Sequence, residues 1–355
     1  MLRYNAPILK RFARLEPKIL AYNLFYEMHS GVITQTSRGK KQMLPNSVYV
    51  ETGSSCGQRC RDCYVPVEDR KQDIRLSGKN LEGITLATKH IKVNYITILG
   101  GAPFGRFTAE ANIGWMKSNP GMRFAVCTGG EGLGNANVMG DLKKLHNMTL
   151  VFSYDGFEGT NDRIRGAGSF AESNAALQEY SGNGKRLSGA IVTLRKDNIA
   201  EATSPDFLHA LASKGCHYLE FGPYYTEKGK HSINPGEYAD ALLRLMGISQ
   251  KIPAIIFSNH FGQLFGKRVN IGNRIQAVTI DYRGNVYTAR RGKVFGNINE
   301  KPLLEIINSA ALQELFKSKH RDYDADAVAE TDARYPHLFK ETVGILERAG
   351  VQIIR

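Results

Sequence analysis

Between about residue 47 and residue 250 the chain alternates short, β-branched apolar runs with helical stretches, and this alternation restricts the fold more than any other feature. Ser47-Val48-Tyr49-Val50-Glu51 and Tyr95-Ile96-Thr97-Ile98-Leu99 read as strands, as do Phe124 to Cys127, Leu150 to Ser153, Ala190 to Thr193 and Tyr218 to Phe221. Leu81 to Ile91, Val138 to His146, Ser169 to Tyr180 and Pro205 to Lys214 carry helical patterns between them. Six such β-α units imply a parallel sheet, because each crossover helix returns the chain to the same end. The pattern leaves a doubly wound sheet and a barrel both open. In either, ligands gather at the carboxyl ends of the strands.

The pattern changes after Lys251. Ile275 to Ile280 alternates, Asp281 to Asn285 supplies turn residues and Val286-Tyr287-Thr288 resumes as a strand, so this stretch predicts a hairpin. Helices are expected from about Pro302 to Ser318 and from about Pro336 to Ala349. At the other end, Ala13 to Tyr26 is apolar enough for a helix, and Ser37 to Lys41 forms a polar break. The expected division is an N-terminal extension over 1–45, an α/β domain over 46–250 and a C-terminal α+β region over 251–355. Hydrophobic residues are 42% of the chain, enough for a sizeable core, and no apolar run is long enough to span a bilayer. No targeting segment is evident, so a cytoplasmic protein is expected. The formal charge of +13, from 47 basic and 34 acidic residues, favours an anionic partner such as phosphate, nucleic acid or an acidic peptide.

Three of the five cysteines lie within eight positions, Cys56-Gly57-Gln58-Arg59-Cys60-Arg61-Asp62-Cys63, directly after the first strand. Thiolates are soft ligands for iron–sulfur clusters and for zinc. Three clustered ligands leave one metal position open for chemistry. A structural zinc site takes a fourth protein ligand, here Cys127, Cys216 or a histidine such as His90, all distant in sequence. On that alternative the chain is a zinc-stabilised binding module with a basic surface. A disulfide framework is disfavoured by the odd number of cysteines.

The C-x3-C-x2-C spacing resembles that of the radical S-adenosylmethionine (SAM) superfamily. Two further stretches carry the resemblance. Leu99-Gly100-Gly101-Ala102-Pro103 stands where the family has Gly-Gly-Glu-Pro, with Ala102 in the glutamate's place. Val151-Phe152-Ser153-Tyr154-Asp155-Gly156, followed by Asn161-Asp162 and Arg163-Ile164-Arg165-Gly166, is similar to the fourth-strand region of members with a SPASM or twitch extension. The resemblance implies a partial (β/α)6 barrel with a C-terminal cap. It further implies a [4Fe-4S] cluster held by Cys56, Cys60 and Cys63, and SAM contacts from Gly100, Gly101, Ala102, Ser153 and Arg165. In the family the reduced cluster cleaves SAM to methionine and a 5′-deoxyadenosyl radical, fed by a donor such as flavodoxin or ferredoxin. Asp62 departs from the pattern, since members usually place an aromatic residue just before the third cysteine; here Tyr64 follows it instead.

Val278 to Tyr287, Phe295 to Ile298 and Leu303 to Ile307 resemble the frame of SPASM domains, which bind auxiliary clusters through cysteines. Here Thr288-Ala289 stands in the expected cysteine's place and no cysteine occurs beyond Cys216, so a single cluster is expected. Members of this branch often modify peptides or proteins, which makes a peptide or protein the leading substrate class. RNA, a sugar-nucleotide or another phosphorylated metabolite is the alternative that the basic charge keeps open. Cys127 reads either as a small buried residue or as a hydrogen donor to a substrate radical. Glu131 reads as a loop carboxylate or a group near SAM, Asn198 as a residue facing the cavity, and Gly222 to Lys228 as a cavity rim.

Overall fold

The computed structural model describes residues 6–17, 44–45, 47–224, 230–258, 262–264, 266, 268–270, 277–288, 293–321 and 336–354. Seven parallel strands follow one another across one sheet: β1 (Ser47–Glu51), β2 (Tyr95–Leu99), β3 (Arg123–Thr128), β4 (Met148–Tyr154), β5 (Ser188–Leu194), β6 (Tyr218–Pro223) and β7 (Ile255–Ser258). The order never reverses. Right-handed crossovers in an unreversed order put every helix on the same face, which a doubly wound sheet does not do. The sheet is that of an open, barrel-like α/β fold: the six expected β-α units are present, and one further parallel strand, β7, follows the sixth.

The residue pattern explains why the other face is left without helices. Val48, Val50, Ile96, Ile98, Phe124, Val126, Leu150, Phe152, Val192 and Phe221 point to the helical layer and are essentially inaccessible. The alternate residues Tyr49, Tyr95, Arg123, Cys127, Ser153, Thr193 and Glu220 are half-buried and largely polar. Strands alternate side chains between faces, so this face forms a polar concave interior rather than a second apolar interface.

Helices observed between the strands agree with the expected ones within a few residues, for example Gly78–His90, Ala136–Lys144, Ser169–Ser181 and Pro205–Ser213. Local capping sets several of their starts. Ser77 and Asn80 form a reciprocal capping box, and Asn234 with Glu237 forms another at the start of the helix Pro235–Ile248. A helix over Glu158–Arg165 was not read from the sequence, where this stretch stood out only as a motif.

The C-terminal hairpin is continuous with the barrel sheet. After two short strands, β8 (Gly262–Gln263) and β9 (Arg268–Asn270), the strand β10 (Ala277–Ile280) pairs in parallel with β1, Val48 opposite Val278. It turns at Asp281–Gly284 into antiparallel β11 (Asn285–Tyr287), which pairs with β12 (Val294–Asn297). The hairpin is present as expected, but it extends the barrel sheet. A buried carboxylate organises it: Asp281 accepts from the Arg283 and Asn285 N–H groups at 2.9 Å each, and from Asn285 Nδ2 and the Tyr287 hydroxyl at 3.0 Å each.

The expected helix over 302–318 is broken into Leu303–Ile307 and Ala310–Arg321. The helix Pro336–Arg348 packs on Pro235–Ile248, and β13 (Gln352–Ile354) pairs with β9. Near the N-terminus the helix is Ala6–Phe12, ahead of the expected one; Ala13 to Glu16 is non-helical, and the expected helix beyond Pro17 and the break at Ser37 to Lys41 lie outside the described residues. Arg11 Nη1 donates to the carbonyls of Cys216 (2.8 Å) and Pro253 (3.3 Å), so this helix sits under the amino ends of β6 and β7.

Candidate active site

The loop carrying Cys56, Cys60 and Cys63 leaves the carboxyl end of β1 and is held by the turns after four other strands. After β2, the N–H groups of Gly101 and Ala102 donate to the carbonyls of Gly53 and Ser55, both at 2.8 Å. After β3, Glu131 Oε2 accepts from the Gly57 N–H at 2.7 Å and lies 3.3 Å from Cys56 Sγ, while Gln58 Nε2 donates to the Gly129 carbonyl at 2.7 Å. After β4, the N–H groups of Arg59 and Arg61 donate to the carbonyls of Arg165 (3.2 Å) and Ile164 (2.8 Å). After β5, Arg195 Nη1 meets Asp62 Oδ2 at 2.6 Å. The loop is thereby a fixed scaffold whose three thiols are each half-buried.

Each sequence-predicted residue has a place in this arrangement. Gly100 has φ +114°, a left-handed conformation that favours glycine, and its N–H donates to the Tyr64 hydroxyl at 3.1 Å. Gly101 is required by the loop: an added Cβ would fall 2.3 Å from the Ser55 carbonyl oxygen and 2.5 Å from that of Ser54. Ala102 is buried, and its carbonyl accepts from the Thr108 hydroxyl (2.5 Å) and the Gly105 N–H (3.0 Å). Ser153 lies on the concave face of β4, one rung further toward the carboxyl end than Cys127 of β3, which sits opposite Val151. Cys127 is half-buried there, not enclosed in the helical layer. Arg165 ends the helix Glu158–Arg165, its Nε 2.7 Å from Asp155 Oδ2 with both side chains nearly buried.

The Asn161-Asp162 pair of the fourth-strand motif organises the turn that presents Arg165. Asn161 Oδ1 accepts from the Asp155 N–H at 2.9 Å, and Asn161 Nδ2 donates to Ser169 Oγ. Asp162 accepts from the N–H groups of Gly168 (2.6 Å) and Phe170 (2.8 Å) and from Ser169 Oγ (3.0 Å). Partial burial raises its pKa, but these donors outweigh burial and hold the carboxyl below its ordinary value. Asn198, expected to face the cavity, is buried; its Nδ2 donates to the carbonyls of Asp155 and Thr193, tying the ends of β4 and β5. Of the rim stretch Gly222 to Lys228, Gly222 to Tyr224 are described, and Tyr225 to Lys228 lie outside the described residues.

A cleft of about 530 Å³ opens beside the loop, lined by Gly57, Arg59, Glu131, Arg165 and Glu172 among others. Burial, and then the Glu131 carboxylate, push the Cys56 thiol well up; burial raises Cys60 as well, against the opposing pull of Arg165. Metal loading therefore has to release thiol protons. Sequence reasoning missed the clamp from the C-terminal hairpin. Tyr282 Oη donates to Asp69 Oδ2 at 2.6 Å, and Arg283 Nη2 to Asp69 Oδ1 at 2.8 Å. Asp69 lies on the short helix Val67–Arg70, where the Arg70 carbonyl accepts from the Cys56 N–H at 3.3 Å and Arg70 Nη1 donates to the Gln58 carbonyl at 3.2 Å.

The donor set fits a cluster better than a lone ion. Among the described residues, no group of three or more His, Cys, Asp or Glu side chains is placed to hold one metal ion. Two of the sequence candidates for a fourth zinc ligand are far from the loop: Cys216 is buried at the amino end of β6, and His90 is exposed on the outer helix Gly78–His90. Three soft thiols on one braced loop, beside an open cleft, fit an iron–sulfur cluster with one open coordination position.

Comparison with known proteins agrees with this geometry. Residues 273–328 match the family model SPASM, described as an iron–sulfur cluster-binding domain. The structure of SuiB from Streptococcus suis bound to SAM superposes with a TM-score of 0.63 at 14% identity, over 88% of this chain and 76% of that one. SuiB bound to its precursor peptide SuiA gives 0.62 at 14% identity, over 83% and 71%. Native anSMEcpe with bound AdoMet gives 0.60 at 14% identity, over 85% and 98%. A curated relative, an uncharacterized protein of Archaeoglobus fulgidus, is 23% identical over 215 residues, 60% of this chain and half the length of that protein. The chain therefore shares the fold of the SuiB and anSMEcpe structures. Its C-terminal region is in addition similar to the SPASM iron–sulfur cluster-binding domain over residues 273–328.

Proposed function

We propose that this protein is a radical SAM enzyme with a single [4Fe-4S] cluster that abstracts hydrogen from a peptide or protein substrate. The observation that carries the reading is the cysteine loop itself, three thiols after β1 held by the turns following β2, β3, β4 and β5. Cys56, Cys60 and Cys63 would hold the cluster. When bound, it supplies the electron that splits SAM into methionine and a 5′-deoxyadenosyl radical, the species that takes hydrogen from substrate.

The chain's own residues bind and orient. Ser153 on the concave face is assigned to the SAM ribose and Arg165 to its carboxylate. Gly100 and Gly101 are assigned to the SAM amino group through their carbonyls. Ala102 belongs to the same turn, with its own carbonyl already accepting two hydrogen bonds. The half-buried position of Cys127 on the concave face is compatible with a hydrogen donor, although it is not required for SAM cleavage. The cysteine-free C-terminal region is assigned to bracing the loop and shielding the interior from water, within the division 1–45, 46–250 and 251–355.

The peptide reading is supported by neighbours of the same fold, SuiB bound to its precursor peptide and anSMEcpe with a bound Cp18Cys peptide. The formal charge of +13 favours the second reading, an RNA or phosphorylated metabolite. Among the described residues no helix is long and apolar enough to cross a membrane. A reducing cytoplasm, with flavodoxin or ferredoxin as electron donor, suits the proposed chemistry.

Anaerobic reconstitution with iron and sulfide, then dithionite and SAM, tests the reading. The expected result is a brown protein with about four irons per chain that releases 5′-deoxyadenosine. A Cys56→Ala/Cys60→Ala/Cys63→Ala variant should lose both. A colourless protein that takes up zinc in preference to iron would refute the proposal.

A further inference from the structure

Asp62 is the one cysteine-loop residue that breaks the family pattern, and the structure gives it a dedicated partner. Arg195 follows β5, with its N–H donating to Asn198 Oδ1 at 2.7 Å and its side chain only 8% exposed. Its guanidinium carbon lies 4.0 Å from the centre of the Tyr224 ring, which follows β6 and is fixed by donation of the Tyr224 N–H to the Leu194 carbonyl at 2.7 Å. Arg195 Nη1 then reaches across to Asp62 Oδ2 at 2.6 Å. The Nε of Arg195 is buried with no hydrogen-bond partner among the described residues. A buried arginine with an unmet donor is costly unless its charge is used. Arg61 also touches Asp62, at 3.2 Å, but it is more exposed and is shared with Asp197 at 3.1 Å. Among the described residues, Asp62 is the only ion-pair partner of Arg195.

We propose that Arg195, stacked on Tyr224 and paired with Asp62, is a positioning residue of the cluster loop that also neutralises the carboxylate Asp62 places beside the third cysteine. The inference rests on the radical SAM reading above. A carboxylate one residue from a thiolate ligand adds negative charge where an electron must arrive, which disfavours reduction. A guanidinium locked between an aromatic face and that carboxylate cancels the charge and fixes the Cys60-to-Cys63 arm at once.

The test uses the full chain, reconstituted anaerobically, as parent, Arg195→Gln, Arg195→Lys, Asp62→Asn and the Asp62→Asn/Arg195→Gln double variant. The cluster midpoint is read by potentiometric titration with electron paramagnetic resonance, and cluster retention by the rate of iron loss to a chelator. Arg195→Gln should move the midpoint down and Asp62→Asn should move it up, with Arg195→Lys near the parent. Each neutralising single variant should lose iron roughly tenfold faster, as expected for a lost charge-assisted hydrogen bond. The double variant should lose it no faster than the worse single. Midpoints that do not move, or a double variant whose loss rate is the product of the singles, overturn the assignment. If Arg195→Gln loads no iron, recovery of loading in the double variant supports the pair, and failure to recover overturns it. A parent chain that binds no iron overturns the radical SAM reading, whereas identical behaviour of iron-loaded variants overturns only the role of Arg195.

Discussion

Replacing Gly101 by alanine separates the loop scaffold from the chemistry it carries. Gly101 does not have a positive φ, so the substitution probes space rather than backbone conformation. Its Cβ would lie 2.3 Å from the Ser55 carbonyl oxygen and 2.5 Å from that of Ser54, about 1 Å inside ordinary carbon–oxygen contact. Both oxygens are backbone, so relief requires the β1 loop to retreat. That retreat breaks or stretches the two 2.8 Å hydrogen bonds from Gly101 and Ala102 to Gly53 and Ser55. Two hydrogen bonds at about 1 kcal/mol each and an overpacking cost of about 1–3 kcal/mol are offset by about 0.4–1 kcal/mol from a stiffer unfolded chain. The net expectation is a destabilisation of about 2–4 kcal/mol. Urea unfolding of the metal-free chain measures it, and iron retention after reconstitution reports whether the cysteine loop has moved. Gly114→Ala is the matched control: it lies within the helix Ala109–Ser118 with nothing within 4 Å of the added methyl, and should stabilise by about 0.5–1 kcal/mol. A Gly101→Ala chain that unfolds within about 0.5 kcal/mol of the parent and retains its iron would refute this account of the turn.

Other expectations follow from the same contacts. Asp281→Ala removes the acceptor for four donors in the hairpin and should cost about 2–4 kcal/mol in thermal or urea unfolding, because the Tyr287 hydroxyl is left buried and the other three donors half-buried. Arg283→Ala should cost only about 0.5–1 kcal/mol, since the arginine is half-exposed, yet it should speed iron loss by slackening Asp69 under the cysteine loop. His217 gives a pH signature. Burial, helped by Arg11, lowers its pKa from 6.5 to about 4, and its ring is held neutral between the Ser188 N–H and the Gly184 carbonyl. The unfolded chain therefore binds the proton first, so stability is intact above pH 6.5 and declines toward pH 4, by up to about 3 kcal/mol. Unfolding midpoints measured across that window should show a steeper slope for the parent than for His217→Gln.

Much of the fold was legible along the chain because its signals are local. Short β-branched apolar runs mark β2 to β6 within two residues of their observed ends, and the hairpin at Asp281–Gly284 announced itself by turn chemistry. Cys56, Cys60 and Cys63 stood out for the same reason, since one loop holds all three. The helix Glu158–Arg165 was missed because its turn is set by Asn161 and Asp162 bonding to groups at Asp155 and Gly168 to Phe170, not by an apolar stripe. The apolar strand left Cys127 readable either as a small buried residue or as a hydrogen donor; strand alternation sets it half-buried on the concave side.

The sequence by itself determined which local structures form and which residues lie on a single loop, because propensity, periodicity and ligand spacing act over a few residues. Tertiary structure alone decided the partners of those residues. Nothing in the order of the chain places Arg195 on Asp62, 133 positions away, or Tyr282 and Arg283 on Asp69. Nor does it say that β10 joins β1 and so carries the C-terminal turn to the cysteine loop. Strand pairing and ion pairing between distant segments depend on the curvature of the whole sheet, which is a property of all its strands together and is written in none of them singly.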